Sequence, residues 1–254
     1  MVSDFIGDCT HSTMMQKSDK LHGVLFSIES DVTHMYILSI KVQEDGQIEY
    51  RHQEYENLID GKVLDVIHVP NYQMGPKTTN VLLIFVANSQ KKSESIRWSS
   101  NPLTSLILLD LKDGKILNKR DFFSFEEHKL SKSNKNYFLT GRVIENIDIF
   151  SLNAEIVDYK TVEEKNLLKR VNHCVISYNG KIIMIGGKKP EAGYPVPTSV
   201  SWDPKTRDLI ELFELEEGMI DPLCHLMCGG EIIFTEPDSN KYVTKVNKMH
   251  TLSN

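Results

Sequence analysis

Five histidines recur along the chain at a spacing of roughly 50 residues, a period typical of repeat architectures. They are His11, His68, His128, His173 and His225. Two of them, His68 and His225, follow a glycine by seven residues. Imidazoles that converge could bind a metal or an anion, respond to pH, or supply acid–base groups to a small polar substrate. The alternative, which we favour, is that each histidine makes hydrogen bonds within the scaffold.

The four cysteines offer a second kind of chemistry. Cys224 and Cys228 could bind zinc together with His173 and Cys174. If residues 224–228 form a strand, however, Cys224 and Cys228 lie about 13 Å apart at ~3.3 Å per residue, whereas a zinc–sulfur bond is only about 2.3 Å long. The cysteines are also too few and too scattered for a secreted disulfide scaffold. We therefore predict no metal site and four reduced structural thiols.

No local motif for catalysis or cofactor binding is present. The sequence has no Gly-x-Ser-x-Gly, Walker or His-Glu-x-x-His pattern. Asp45, Asp113 and Asp203 recur in turn sequences, where such acids normally accept hydrogen bonds from the local backbone. We predict no catalytic residue and no cofactor, with catalysis by scattered residues kept as an alternative.

Composition and charge limit the classes of partner. The 254 residues are 40% hydrophobic and 25% charged, as in a globular protein, and the net charge of −6 disfavours broad binding to nucleic acid or anionic membranes. The longest apolar run, residues 81–87, is far shorter than the roughly 20 residues of a membrane span. The first residues lack a signal-peptide pattern. We expect a cytoplasmic or nuclear protein that is neither secreted nor bound to a membrane.

Short apolar runs separated by turn sequences predict many strands. Residues 35–42 lead through Asp45-Gly46 into an alternating run, which is a hairpin signal. The same form returns around Asp113-Gly114 and around Asp203-Pro204. A further strand is predicted before each hairpin, at residues 23–28, 81–87, 137–144, 181–185 and 231–235. The repeating unit is four strands, and only residues 122–132 and 159–170 could instead be helical.

Residues 170–213 resemble a kelch repeat. The matching residues are Arg170, His173, Asn179-Gly180, Gly186-Gly187, Trp202-Asp203-Pro204 and Thr206. Asn-Gly supplies the positive φ of a two-residue hairpin, and the paired glycines let the chain leave a strand end where a Cβ would clash. Kelch repeats commonly carry a histidine that makes structural hydrogen bonds at the position of His173.

This resemblance implies an all-β fold, a kelch-like β-propeller of about five four-stranded blades. The single domain would span residues 1–254, with blades at roughly 8–60, 61–125, 126–168, 169–216 and 217–254. One blade cannot bury both faces of its sheet, so neighbouring blades must stack. No terminal strand completes the first blade, so the ring either closes by stacking or is completed by another chain in an oligomer or complex.

Two long loops between second and third strands are the predicted binding elements. The partner-binding residues that we predict are Lys91, Lys92, Arg97 and Trp98 in the first loop, and Lys188, Lys189 and Tyr194 in the second. Aromatic and basic side chains on loops of a rigid scaffold are typical of interaction sites. These residues predict a non-catalytic scaffold or adaptor subunit for a protein partner.

Two alternatives remain from the sequence. The first is an enzyme that acts on a sugar or small polar metabolite through the five histidines, which we expect in the first strand of each blade, where propeller side chains line the central channel. The second is an accessory subunit for RNA modification, because the last third of the chain resembles the divergent kelch domain of some tRNA-modifying methyltransferases. The chain lacks a glycine-rich loop for S-adenosylmethionine, so no transferase activity is implied.

Overall fold

The computed structural model describes residues 9–17, 20–29, 32–42, 47–56, 59–88, 103–215, 218–226, 232–235 and 247–248. The chain divides into two compact units, Met1–Glu126 and Glu127–Asn254. No helix among the described residues has the length and apolar composition that a membrane span requires.

The first unit contains two four-stranded antiparallel sheets, each built from strands that are consecutive in the sequence. The strands of sheet 1 are β1 (Cys9–Lys17), β2 (Lys20–Glu29), β3 (Val32–Val42) and β4 (Ile48–Glu56). The strands of sheet 2 are β5 (Lys62–Met74), β6 (Lys77–Ala87), β7 (Leu103–Asp110) and β8 (Lys115–Phe123).

The second unit repeats this arrangement in sheets 3, 4 and 5. Sheet 3 has β9 (Lys129–Ser133), β10 (Asn136–Thr140), β11 (Ile144–Asp148) and β12 (Asn153–Ile156). After helix α1 (Val162–Leu168), sheet 4 has β13 (Cys174–Tyr178), β14 (Lys181–Ile185), β15 (Thr198–Trp202) and β16 (Leu209–Glu214). The described part of sheet 5 comprises β17 (Leu223–Leu226), β18 (Ile232–Thr235) and β19 (Asn247–Lys248).

The predicted all-β class is confirmed. Each sheet lies inside one of the five residue ranges predicted for the blades. Of the two segments that could be helical, residues 159–170 contain α1, whereas residues 122–132 hold the end of β8 and the start of β9. The strand predicted at residues 137–144 is wrong as a single element, because the chain turns at residues 141–143 between β10 and β11.

Apolar side chains join consecutive sheets in both units. In the first unit, Met35 of sheet 1 packs with Leu82, Ile84 and Ile107 of sheet 2. In the second unit, one cluster joins sheets 3 and 4 and includes α1. Its buried members are Phe138, Ile144, Leu168, Ile182, Met184, Val200 and Trp202. A further cluster joins sheets 4 and 5 through Ile183, Ile185 and Ile232. In sheet 2, all side chains of residues 81–87 are buried, so the central strand β6 is covered on both faces there.

The repeat-like segment of sheet 4 has the backbone geometry predicted for it. Asn179 and Gly180 both have positive φ, 47° and 75°, as a two-residue hairpin requires. Gly187 has a φ of 88°, and a Cβ there would lie 2.7 Å from the carbonyl oxygen of Val171. Asp203 accepts hydrogen bonds from the backbone N–H groups of Lys205 and Thr206. These residues are architectural.

Candidate binding surface

The loop between β14 and β15 is held in one conformation by backbone hydrogen bonds. Lys188 and Val171 exchange two such bonds, of 2.8 and 2.9 Å. Lys189 N–H donates to the carbonyl of Tyr194 at 3.0 Å, and Gly193 N–H donates to the carbonyl of Lys189 at 2.8 Å. The loop is therefore a fixed projection of sheet 4, which lowers the entropy cost of using it as a binding element.

Tyr194 is the aromatic side chain that this loop exposes. Its fractional exposure is 60%, whereas the neighbouring Val196 is buried at 5% and anchors the loop. A half-exposed tyrosine offers an apolar ring and a hydroxyl, both of which are used in protein interfaces.

Charged side chains of other chain segments pair with this loop or act electrostatically on it. We define the loop-face cluster as Glu127, Arg142, Lys169, Lys188, Lys189 and Glu191. Lys169 is ion-paired with Glu191, and Arg142 is ion-paired with Glu127 at 3.1 Å. Four cations against two carboxylates leave this cluster with a net charge of 4 − 2 = +2, on a chain whose total is −6.

The ion pairs of the loop-face cluster shift the ionisation of its members. A hydrogen bond from Lys169 lowers the pKa of the Glu191 carboxyl, and Arg142 adds to that effect. Partial burial lowers the pKa of Lys189, with the positive charges of Arg170 and Lys169 acting in the same direction. The Lys189 ammonium also donates to the carbonyl of Asn166. Lys189 is thus partly committed to the loop's own structure.

The other predicted binding residues, Lys91, Lys92, Arg97 and Trp98, lie outside the described residues. The strands that flank their loop are described, and a polar cluster lies where the loop leaves the sheet. Ser105 is hydrogen-bonded to Asn88 at 2.7 Å and to Asp121 at 2.5 Å. These contacts join the ends of β6, β7 and β8.

Two of the five histidines are buried inside the second unit. Arg142 N–H donates to His128 Nε2 at 3.1 Å, so the ring proton lies on Nδ1, 3.3 Å from the Glu145 carboxylate. His173 Nε2 is hydrogen-bonded to Thr140 Oγ1 at 3.0 Å. Burial lowers the pKa of His173 well below its ordinary value, and nearby cations, including Arg170, strengthen that effect. A buried neutral imidazole is suited to a structural role.

The remaining three histidines lie in the first strand of their sheets, whereas His128 and His173 each lie directly before one. His68 is in β5 and is half-buried. His11 is in β1 and His225 is in β17, but their side chains are outside the described part of the chain.

Arg170, a residue of the repeat motif, is fully buried. Its guanidinium donates to the carbonyl oxygens of Leu167, Gly186 and Thr198. Burial lowers the pKa of Arg170 to about 10. The residue thus ties α1 to both ends of the β14–β15 loop, which positions the candidate surface.

The cysteine prediction is wrong for one pair. Cys174 and Cys224 form a disulfide, with Cα atoms 6.1 Å apart. Sequence reasoning considered these two residues as zinc partners but expected all four thiols to be reduced. Their proximity depends on how sheets 4 and 5 pack, which no local pattern reveals. Among the described residues, no group of three or more His, Cys, Asp or Glu side chains could hold a metal ion.

Sequence reasoning also missed the residues that attach α1 to sheet 4. Thr161 caps the helix by accepting from Glu164 N–H at 3.0 Å, and the buried Glu164 side chain pairs with Arg207 at 2.7 Å. Trp202 Nε1–H donates to the same carboxylate at 3.2 Å. The Thr161-x-x-Glu164 spacing is a helix-capping signal that could have placed this helix.

Comparisons with known proteins add little to this geometry. No family model and no curated protein matches the chain. Among solved structures, it is similar to a chain in a cryo-EM structure of RAG in complex with one melted RSS and one unmelted RSS. The TM-score is 0.42 at 11% identity, and the match covers 88% of this chain and 73% of that chain. A TM-score of this size supports no inference about fold or function.

Proposed function

We propose that this chain is a non-catalytic protein-interaction scaffold, built as a kelch-like β-propeller, that binds an acidic, extended segment of a partner protein. The observation that carries this proposal is Tyr194, which is 60% exposed on a loop fixed by backbone hydrogen bonds and bordered by cations. The order of the strands supports the propeller, because sequence-consecutive strands build each of the antiparallel sheets.

Binding would occur when a carboxylate of the partner replaces the Glu191 carboxylate on the loop-face cluster. In the Lys169–Glu191 pair, Glu191 is the more exposed partner, with a side-chain exposure of 67%. Exposed ion pairs of this type contribute little to stability, because water and dissolved salt screen them. A partner carboxylate could therefore replace Glu191 at little cost, while Tyr194 packs against an apolar part of the same segment.

The histidines favour a scaffold over an enzyme. His128 is fully buried and bonded to Glu145 and Arg142, and His173 is buried and bonded to Thr140. Neither is placed to exchange protons with a ligand that reaches the second unit from solvent.

A screen of displayed peptides tests this function. The full chain would be panned against random ten-residue peptides, with counter-selection on a Tyr194→Ser/Lys188→Glu variant. We expect enrichment of acidic peptides with one apolar or aromatic residue, and an affinity that falls as salt is raised. Failure to enrich any sequence, or enrichment that survives both substitutions, would refute the assignment. Salt-sensitive binding to structured RNA without peptide binding would favour the RNA alternative instead.

A further inference from the structure

The disulfide links two different sheets of the second unit. Cys174 is the first residue of β13 and is paired across the ladder with Ile185 of sheet 4. Cys224 lies in β17 and is paired with Phe234 of sheet 5. The Cα separation of 6.1 Å lies within the usual range of about 4.4–6.8 Å for a disulfide. The bond therefore crosses from sheet 4 to sheet 5, since β13 and β17 belong to different sheets.

Non-covalent contacts hold the same two sheets together. Gly187 N–H donates to the Met219 carbonyl, and Asp221 N–H donates to the Asn172 carbonyl, each at 2.7 Å. An apolar cluster that includes Ile183, Ile185 and Ile232 lies between the sheets, with Cys224 packed against it. Since these contacts do not involve sulfur, the two thiols stay close to each other when the bond is open.

Both cysteines are partly exposed to solvent. Cys174 and Cys224 are each half-buried, in contrast to the fully buried residues of the cluster beside them. Partly exposed disulfides have higher reduction potentials than buried structural ones and exchange with glutathione more readily. Access and preserved proximity are the two requirements of a reversible crosslink.

We infer that Cys174 and Cys224 form a site of reversible oxidation by glutathione disulfide, and that the crosslink sets how firmly residues 218–226 are held on sheet 4. In the forward step, one cysteine thiolate attacks a sulfur of glutathione disulfide and releases one glutathione. The second cysteine then attacks the mixed disulfide and releases the other glutathione. Two thiols lose two protons and two electrons, and one glutathione disulfide becomes two glutathione molecules. This inference does not depend on the proposed binding function.

The test uses the full chain equilibrated in glutathione buffers of graded redox ratio. After alkylation, mass spectrometry would measure the fraction of the Cys174–Cys224 crosslinked peptide at each ratio. We expect this fraction to change from mostly reduced to mostly oxidised within the range that glutathione buffers span. A bond that never forms, that persists at the most reducing ratio, or that joins other cysteines would overturn the inference.

Amide hydrogen exchange on the same samples measures the structural effect. We expect exchange in residues 218–226 to be about tenfold faster in the reduced chain, with little change in residues 181–185 of β14. Cys174→Ser and Cys224→Ser should each abolish the redox dependence, whereas Cys9→Ser and Cys228→Ser should retain it. Equal exchange in the oxidised and reduced wild-type chain would overturn the proposed effect even if a serine variant failed to fold.

Discussion

The Glu164 carboxylate lies 2.7 Å from a guanidinium nitrogen of Arg207, and this ion pair attaches helix α1 to the turn between β15 and β16. The side chains are only 5% and 13% exposed. The same carboxylate accepts from Trp202 Nε1–H and from Lys160 N–H, and the Arg207 guanidinium lies over the Trp202 ring. Glu164 thus satisfies three donors from three chain segments.

Replacing Glu164 with Gln should lower the free energy of unfolding by about 3 kcal/mol, because it removes the carboxylate charge that pairs with the largely buried Arg207 guanidinium. Urea denaturation followed by tryptophan fluorescence would measure this change. Lys205→Ala, in the exposed part of the same turn, is the matched control and should change stability by less than about 0.5 kcal/mol. Equal effects of the two substitutions would contradict the importance of the pair.

The stabilisation that Glu164 provides should be lost at acid pH. Burial alone would raise its pKa, but bonds from Arg207, Lys160 and Trp202, together with the Arg207 charge, lower it below 4.5. Since the folded-state pKa is lower than the unfolded value, the stabilisation is complete above about pH 4.5 and is lost as the pH falls through the folded pKa. The stability difference between wild type and Glu164→Gln should therefore shrink below pH 4.5 in urea titrations. A pH-independent difference would argue against the ion pair.

We expect His173 to give the free energy of unfolding a second pH dependence, at a higher pH than that of Glu164. The pKa of His173 is held well below the ordinary 6.5, so the unfolded chain binds a proton that the folded chain does not. The free energy of unfolding keeps its full contribution from neutral His173 above about pH 6.5. Below that pH, this contribution decreases by about 1.4 kcal/mol per pH unit. His173→Gln removes this proton uptake. Urea titrations at pH 7.5 and 5.5 should show a smaller loss on acidification for the variant, by about 1.4 kcal/mol, whereas identical losses would contradict a neutral buried imidazole.

Gly187 and Gly193 form a matched pair in the candidate loop. Both have positive φ, 88° and 72°, but a Cβ at Gly187 would lie 2.7 Å from the Val171 carbonyl oxygen, whereas a Cβ at Gly193 meets nothing within 4 Å. Gly193→Ala should cost about 1 kcal/mol from backbone strain alone. Gly187→Ala should cost about 2 kcal/mol more because of the steric conflict. Thermal unfolding of both variants would measure this difference, and similar melting temperatures would contradict the close approach.

Lysine should not be able to replace Arg170 without a loss of stability. Its guanidinium donates to three carbonyl oxygens that an ammonium on a flexible stem cannot reach together. Arg170→Lys should lower the free energy of unfolding by about 3 kcal/mol, since it leaves buried carbonyls without donors. Chemical denaturation would measure the loss, with Lys205→Ala again as the control. A loss below about 1 kcal/mol would show that the charge alone matters.

Local backbone rules made the turns of sheet 4 predictable. Asn179-Gly180 and Gly186-Gly187 have the positive φ values that their sequence requires, because few other residues adopt this conformation without strain. The turn acid of sheet 2 was harder to place. Asp110, rather than the predicted Asp113, accepts from Lys112 N–H and Thr79 Oγ1. Either aspartate fits a turn sequence, and only the strand register decides between them.

Contacts between distant segments could not be predicted in the same way. The Cys174–Cys224 bond joins residues separated by 50 positions, and the Glu164–Arg207 pair joins a helix to a later turn. The first depends on how two sheets pack and the second on how α1 lies against sheet 4, and strand periodicity specifies neither. Within the candidate site, the composition of the β14–β15 loop indicated Lys189 and Tyr194. It could not indicate Arg142 and Lys169, because these residues lie in other loops.

Quantitative affinity purification from cells tests the proposed interaction surface most directly. The wild-type chain would be compared with a variant carrying Lys188→Glu and Lys189→Glu. The matched control carries the same change of charge at exposed positions elsewhere in the second unit, as Lys135→Glu and Lys205→Glu. Our account predicts that specific partners are lost from the loop variant and retained by the control, with both chains folded by circular dichroism. Unchanged capture by the loop variant, or equal loss from both, would contradict it.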